Sequence, residues 1–382
     1  MKTLRKVRLA YLWLAKSGSV GSGNTNHIRH WLNGIPKDKY KPLLVTPFLE
    51  VSRLENYFGG HTGLSIIQKK DLWTNNFWSA SKILKRCLEE NDVDLLHTLG
   101  PRADIIGGLA KKNGLRIPVI STVEVYIPGC NPPWWKHQIY KRLYSGSSKY
   151  IDAITAISNQ TRNELVNEFG VSEEKVSVIN SGVDISQYPL KSGWPFGKPG
   201  EYFPVIGYIG RLSPEKRIDL LLESFAQLLG AIPEANLCIA GDGNQKALLM
   251  EYAKNLGIKE RIKFLGWLTN PLDFYNMIDI FVMTSASEGL PWTILEAAAL
   301  GIPIVSTNSG GIYDVIKQGE TGFLLDDMEP EHIAEAIISL LRNNSLARKM
   351  ASSARDRIES HFNHAREMKD FLNLYEKFVG AL

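Results

Sequence analysis

The chain has 382 residues, more than one compact core normally holds, so two domains of about 150–200 residues are expected. Its hydrophobic content of 44%, with 32 glycines and 18 prolines, is that of an ordinary globular protein with many turns. A net charge of +4 gives no sign of a dedicated nucleic-acid binder, and Cys87, Cys130 and Cys238 form an odd, widely spaced set that supports neither a disulfide framework nor a structural zinc site.

Residues 7–13 are expected to form the first strand. The basic residues Lys2, Arg5, Lys6 and Arg8 ahead of residues 9–14 have the outline of a secretory signal, but the apolar part is short, interrupted by Arg8 and Lys16, and followed by no convincing cleavage site. No run reaches the length that spans a bilayer. The glycine-rich stretch Ser17-Gly18-Ser19-Val20-Gly21-Ser22-Gly23-Asn24 then leads into a helix through His27, Ile28, Trp31 and Leu32. Gly21, Ser22 and Gly23 between a strand and a helix either let a ligand approach the backbone or form a flexible loop. The stretch lacks G-x-G-x-x-G followed by an acidic ribose partner, so it is not read as a dinucleotide fingerprint.

Short apolar segments recur at 43–45, 64–67, 93–96, 118–122, 153–156 and 176–179, separated by helix-length patterns at 77–88, 104–112, 136–144 and 160–169. This alternation predicts an α/β domain with a mainly parallel sheet, whose ligands sit beyond the carboxyl ends of the strands. His97 and Glu124 stand at two such ends. Either can contact an acceptor hydroxyl, and Glu124 can act as a base; equally, His97 can be a strand-end hydrogen-bonding residue and Glu124 an ordinary loop carboxylate. Residues 134–144 mix Trp134, Trp135, Tyr140 and Tyr144 with Lys136, His137, Lys141 and Arg142. That is the pattern of an interfacial helix on anionic lipid, and also that of a packed helix with a solvated cationic face.

Residues 185–204 hold Pro189, Gly193, Pro195, Gly197, Pro199 and Gly200, a density of turn-formers that reads as a linker. A second domain starts with Val205-Ile206-Gly207-Tyr208-Ile209 and runs through Gly210-Arg211-Leu212-Ser213-Pro214-Glu215-Lys216-Arg217 into a helical pattern over 218–229. Further strands are expected at 237–240, 262–265, 280–283, 304–306 and 323–325, and two α/β halves joined by a linker leave a cleft. Arg211 and Lys216 flank the Ser213-Pro214 turn and can both reach a diphosphate, or form a solvated turn with Glu215. Gly241-Asp242-Gly243 supplies a close-approach turn suited to a nucleotide base or ribose. Ser287-Glu288-Gly289-Leu290-Pro291, ahead of a helix-compatible segment carrying Glu296, presents backbone N–H groups at a helix start, which is an anion site. With Glu288 at the mouth and Glu296 inside the helix, the ligand it suits is both anion and polyol, a phosphorylated sugar or nucleotide; the plainer reading is the start of a surface helix.

Taken in order and spacing with Asn180-Ser181-Gly182-Val183-Asp184, Gly310-Gly311-Ile312-Tyr313-Asp314-Val315-Ile316 and Gly319-Glu320-Thr321-Gly322-Phe323-Leu324, these motifs make the chain resemble the retaining glycosyltransferases of family 4 over nearly its whole length. The resemblance implies the GT-B architecture, α/β, with two Rossmann-like doubly wound domains facing each other across a cleft. The expected divisions are 1–185 for the acceptor-side domain, 186–204 for the linker, 205–361 for the nucleotide-sugar domain and 362–382 for a helix returning to the first domain. It implies a nucleotide-diphosphate sugar as donor, a UDP-sugar, held with Arg211 and Lys216 on the diphosphate, Glu288 by the donor sugar, Glu296 on the ribose, and the N–H groups of Gly289 and Leu290 on the distal phosphate. Gly210 and Gly241-Asp242-Gly243 line that site, and Gly21, Ser22 and Gly23 close over phosphate and acceptor.

Two departures from the family pattern matter. Many members read His-x-His where this chain has His97-Thr98-Leu99, and many carry a histidine where Glu124 stands, so His97 is the first acceptor-side candidate and Glu124 the second. In the resembled family the acceptor attacks from the face the leaving group departs, and the leaving phosphate takes the proton. No metal site and no cofactor are expected, since Asp242 and Asp326-Asp327 do not form an Asp-x-Asp arrangement. The acceptor is expected to be a saccharide or lipid-linked saccharide met in the cytoplasm; an anionic membrane surface at the inner face of the cell membrane is a partner only if residues 134–144 form an interfacial helix and not a packed one. A sugar-nucleotide epimerase and a noncatalytic nucleotide-sugar or glycan-binding protein remain the alternatives.

Overall fold

The computed structural model describes residues 5–14, 23–47, 51–58, 63–74, 76–124, 134–191 and 203–380, which divide into two compact units. The first comprises 1–181 with 364–382, the second 182–363.

In the first unit strands β1 (Val7–Trp13), β2 (Tyr40–Thr46), β3 (Ser65–Gln68), β4 (Leu95–Leu99), β5 (Val119–Val123), β6 (Ala153–Ala156) and β7 (Val176–Val178) form one parallel sheet in the order β3-β2-β1-β4-β5-β6-β7. Helices α1 (Gly23–Gly34), α2 (Val51–Phe58), α3 (Phe77–Glu90), α4 (Pro101–Lys112), α5 (Trp134–Ser148) and α6 (Asn159–Asn167) make the crossovers. Strands covered on both faces carry unbroken apolar runs, and every residue from Leu9 to Trp13 in β1 is buried. The last helix, α14 (His364–Val379), packs Met368, Phe371 and Tyr375 into the core made by Leu9, Tyr11, Ile28 and Trp31. It lies so close to α1 that a Cβ built on Gly34 would stand 2.2 Å from Met368 Cγ, so a larger residue there requires the Met368 side chain to move.

The second unit repeats the plan. Strands β8 (Val205–Ile209), β9 (Asn236–Ala240), β10 (Ile262–Gly266), β11 (Ile280–Met283), β12 (Ile304–Thr307) and β13 (Phe323–Leu325) run parallel in the order β10-β9-β8-β11-β12-β13. Between and after them come α7 (Ile218–Ala231), α8 (Lys246–Asn255), α9 (Pro271–Met277), α10 (Trp292–Ala299), α11 (Ile312–Val315), α12 (Pro330–Arg342) and α13 (Asn344–His361). The apolar face of α7, with Leu221, Phe225 and Leu228, meets Ile337 and Leu340 of α12 in the core. The order reverses at β8, so the loops leaving β8 and β11 diverge at the sheet's topological switch point.

Two boundaries differ from the sequence expectation. Residues 182–191, divided there between the first domain and a linker, pack with the second unit: Val183 is buried and bridges to Asn363, its N–H bonds Phe362 O at 2.9 Å, and Tyr188 reaches Glu296. The final helix, α14, spans His364–Val379 rather than starting at Phe362, whose ring is buried in the second unit. The linker residues 192–202 lie outside the described chain.

Candidate functional site

The loops at the switch point of the second sheet are bound to one another. Thr284 Oγ1, just past β11, donates to the carbonyls of Lys216 and Arg217 at 3.1 and 2.8 Å, and the Ala286 N–H donates to Glu215 O at 2.8 Å. These bonds fasten the turn Pro214–Lys216 to the segment carrying Glu288. Lys216 Nζ meets Glu288 Oε1 at 2.5 Å, and the Glu288 side chain is only 8% exposed. Arg217, which follows, takes the left-handed conformation at φ 47° although it has a side chain. A non-glycine residue held in that region costs about 1–2 kcal/mol and persists only where its surroundings dictate it.

Arg211 leaves the end of β8 with its side chain 69% exposed and its guanidinium no closer than 4.0 Å to Glu215 Oε1. One of the two expected diphosphate cations is therefore committed to a carboxylate and the other is open to solvent. Gly210 and the Gly241–Gly243 turn lie against each other, with the Gly210 N–H donating to Ala240 O at 3.0 Å and the Leu212 N–H to Asp242 O at 2.9 Å. A Cβ on Gly241, at φ 121°, would stand 1.8 Å from Gly210 O. Asp242 is occupied with its own turn: it accepts from the Gly243 N–H, which lowers its pKa, and pairs with Lys246.

The Ser287–Leu290 turn leans on the glycine pair after β12. The Gly311 N–H donates to Gly289 O at 2.7 Å, and a Cβ on Gly310 at φ 61° would stand 1.6 Å from Glu288 O. Among the described residues the N–H groups of Gly289 and Leu290 have no acceptor. Beside them are two hydroxyls that the sequence reading passed over. Ser285 and Ser309, at the exits of β11 and β12, are buried, and among the described residues their Oγ atoms have no hydrogen-bond partner. An unsatisfied buried hydroxyl costs about 1–3 kcal/mol, so two at one strand-end cluster suit a polar ligand. The available signal was small, a serine directly ahead of a glycine pair.

Glu296 sits in α10, buried, with Tyr275 Oη donating to Oε2 at 2.7 Å and Tyr188 Oη to Oε1 at 3.1 Å. Burial raises its pKa, and the two tyrosines offset this only in part. Neither tyrosine was foreseen, because they lie 108 and 21 positions away.

The first unit corrects the acceptor-side assignment. His97 is fully buried in β4, stacked 4.6 Å from the Trp31 ring, with its nitrogens 2.7 Å from Tyr375 Oη and from Thr122 Oγ1. Burial depresses its pKa to about 3, so the ring is a neutral core residue without access to an acceptor. Glu124 instead bonds His27 Nδ1, and His27 Nε2 stands 2.7 Å from Ser181 Oγ. His27, expected only as a helix position, thereby joins the strand-end carboxylate. Gly21 and Ser22 lie outside the described residues, and Gly23 opens α1. No group of three His, Cys, Asp or Glu side chains is gathered for a metal among the described residues.

Residues 21–187 match the family model for Glycosyltransferase Family 4, and residues 196–357 that for Glycosyl transferases group 1. The chain is 27% identical over 304 residues to an N-acetyl-alpha-D-glucosaminyl L-malate synthase of Bacillus anthracis, covering 78% of this chain and 77% of that one. It is 25% identical over 306 residues to a UDP-Gal:alpha-D-GlcNAc-diphosphoundecaprenol alpha-1,3-galactosyltransferase of Escherichia coli, covering 78% of each. In fold it superposes on Anabaena Alr3699/HepE, crystallised with UDP, with a TM-score of 0.81 at 19% identity, over 97% of this chain and 100% of that one.

Proposed function

This chain belongs to the family 4 glycosyltransferases, with GT-B architecture and a role in glycan biosynthesis, and we propose that it moves a hexose-type residue from a UDP-sugar to a saccharide or lipid-linked saccharide hydroxyl with retention. The observation that carries the reading is the Lys216–Glu288 pair at the switch point of the second sheet, in the loop whose Gly289 and Leu290 N–H groups have no acceptor among the described residues and which leads into the helix carrying Glu296. Lys216 and the exposed Arg211 take the diphosphate, Gly289 and Leu290 give their N–H groups to its distal phosphate, and Glu296 receives the ribose hydroxyls. Glu288, released from Lys216, faces the donor sugar. Negative charge grows on the departing diphosphate, so these cations bind the transition state more tightly than the bound donor and contribute to rate. The leaving phosphate accepts the acceptor's proton. Arg and Lys supply the charge compensation, so turnover is expected to survive chelation of divalent ions.

The acceptor reading draws on the galactosyltransferase relative, whose name gives an undecaprenyl-diphosphate-linked sugar as its substrate. It also draws on the exposed face of α5, where Ile139, Arg142 and Leu143 share a side with Lys149 and Tyr150 beyond the helix end. We take this face to lie on anionic lipid at the inner surface of the cell membrane. No helix among the described residues is long and apolar enough to cross a membrane.

A panel of nucleotide sugars, incubated with and without extracted lipid-linked glycans, tests the whole reading. UDP released only when acceptor is present, with the product's anomeric configuration matching the donor's by NMR, is the expected result. Isomerised donor without acceptor identifies an epimerase, and binding without consumption identifies a noncatalytic receptor. Arg211→Ala, whose side chain is mostly in solvent, should lower turnover at saturating donor while leaving the unfolding temperature unchanged.

A further inference from the structure

Three side chains from separate elements form one hydrogen-bonded line over the carboxyl ends of the first sheet. Glu124 follows β5, His27 lies in α1, and Ser181 is the last residue of the unit before the chain crosses to the second. His27 bonds Glu124 through Nδ1 and Ser181 through Nε2. Its ring is buried, stacked 5.7 Å from Trp31 at an interplanar angle of 4°, and the Trp31 indole is itself fixed by donating to Glu367 Oε1 at 2.9 Å. The titratable groups facing the ring are Glu124 from the end of β5, Glu367 from α14 and His30 from the same helix. Burial alone would lower the imidazole's pKa. The Glu124 carboxylate, by charge and by hydrogen bond, and then Glu367, leave it above the ordinary value, so a charged ring beside a carboxylate is the favoured state.

Carboxylate, imidazole and hydroxyl follow one another as they do in a hydrolase's nucleophilic triad. The exposures rule that use out, since Ser181 is 1% exposed and its oxygen does not reach a substrate. Access increases toward the other end, where the Glu124 side chain is 13% exposed. The line therefore runs from a sealed hydroxyl to a partly open carboxylate, and what it delivers is orientation. A free glutamate side chain samples many rotamers, and a pre-set hydrogen bond removes that freedom before a ligand arrives.

We propose that His27 is the positioning residue of Glu124: locked by Ser181 and Trp31, its ring holds the carboxylate in one orientation to receive a sugar hydroxyl at this edge of the first unit. The inference rests on the glycosyltransferase reading and adds a residue that acts without touching substrate. Glu124 accepts the hydroxyl's hydrogen bond, His27 supplies the opposing N–H, and no covalent step passes through the line.

The test uses the full chain with UDP-glucose, UDP-galactose and UDP-N-acetylglucosamine, and prenyl-diphosphate-linked N-acetylglucosamine or extracted lipid-linked glycans as acceptor. UDP release is followed across about pH 5.5 to 9, and UDP affinity is measured separately by calorimetry. Glu124→Gln and His27→Ala should each lower kcat about tenfold or more with UDP affinity unchanged, because the nucleotide belongs to the second unit. His27→Asn keeps an N–H donor toward Glu124 and should recover much of the loss. In His27→Ala the step that the imidazole contributes to the wild-type rate profile, placed above the ordinary histidine value by the Glu124 carboxylate, should disappear. Should His27→Ala fail to fold, Ser181→Ala, which frees the ring without emptying the core, is expected to give an intermediate loss of kcat with UDP affinity unchanged. Wild-type turnover in Glu124→Gln overturns this inference and leaves the glycosyltransferase reading standing, whereas a wild-type chain that binds UDP and consumes no sugar nucleotide overturns both. Equal losses in the Ala and Asn variants, with an unmoved pH profile, would reduce His27 to a packing residue.

Discussion

Lys216 and Glu288 stand 72 positions apart in sequence, and their Nζ and Oε1 atoms meet at 2.5 Å. A carboxylate in that position competes with an incoming diphosphate for the same ammonium. Lys216→Ala is expected to weaken UDP binding by about tenfold or more, equivalent to about 1.4 kcal/mol. It also strands a nearly buried carboxylate, lowering stability by about 1–3 kcal/mol. Glu288→Gln removes the competitor, so UDP should bind as tightly as to the wild type or more tightly, while turnover of a UDP-sugar falls. Titration calorimetry with both variants decides the matter. Equal loss of UDP affinity in the two would show that the pair is a structural strut and not a displaceable clamp.

Glu296 links stability to pH through its burial. Its folded pKa lies above the ordinary carboxylate value, so between the two values the native state binds more protons than the unfolded chain. The stability associated with this group is thus fully present below the unfolded value, about 4.3, and is lost as pH rises through the folded one. Glu296→Gln lacks that loss and should gain on the wild type as pH increases from about 4.5 to 7.5 in thermal unfolding. The same variant should bind UDP more weakly by about 1.5–3 kcal/mol, the usual worth of hydrogen bonds to a charged group. A Glu296→Gln chain with unaltered UDP affinity would remove the ribose contact from the account.

How the sequence yielded the fold but only part of the site follows from where each kind of information resides. Strands such as β4 and β11 are buried on both faces and appear as unbroken apolar runs, so local pattern reveals them. The short helix Val51–Phe58 has no such run and escaped notice. Arg211 and Glu288 stand out as candidates because each lies next to a glycine in a turn after a strand, and Glu296 because it lies inside the helix that Pro291 precedes. Their partners do not. Tyr188 reaches Glu296 across 108 positions and Ser181 reaches His27 across 154, distances set by the order of strands in each sheet. His97 misled for a related reason: a histidine closing a strand looks the same in sequence whether its ring turns to a ligand or, as here, into a core of Trp31, Phe371 and Tyr375.

Placing His97 in that core has a kinetic and a thermodynamic consequence. His97→Phe should leave kcat unchanged within about twofold in folded protein. It would deprive the Tyr375 and Thr122 hydroxyls of a partner, and since Thr122 Oγ1 keeps Thr155 Oγ1 at 2.7 Å, the cost of about 1–3 kcal/mol falls on Tyr375. The wild-type ring stays neutral down to about pH 3, whereas the unfolded ring takes up its proton near the ordinary value. Stability contributed by the neutral ring is therefore present above that value and declines as pH falls toward 3, a decline that the phenylalanine variant should lack. A large drop in kcat without loss of structure would restore His97 to the acceptor side.

The surface of α5 gives the last prediction. Residues 134–151 contain Lys136, His137, Lys141, Arg142 and Lys149 and no Asp or Glu. Ile139 and Leu143 are exposed on one side of the helix, which continues past its end to the exposed Tyr150. Lys112 extends the patch from α4, with its ammonium 5.6 Å from the Tyr150 ring and 6.0 Å from the exposed Trp78 ring on α3. The nearest acid in sequence, Asp152, is engaged by Lys111 at 2.7 Å. Apolar side chains set among cations that form no ion pair with the described residues match the headgroup region of an anionic bilayer, where each basic residue near the surface contributes about 1 kcal/mol. Vesicles containing phosphatidylglycerol should sediment the wild-type chain and pure phosphatidylcholine vesicles should not, with binding weakened at about 0.5 M salt as the Debye length shrinks. Ile139→Asp combined with Leu143→Asp removes the apolar insertion, and Arg142→Glu with Lys149→Glu reverses the field. Both pairs should abolish sedimentation while UDP affinity, which the proposed function assigns to the second unit, stays at the wild-type value. If the double Asp chain still sediments, this face does not insert; if the wild type is a dimer that the double Asp change splits, the face belongs to a second copy of the chain instead of to lipid.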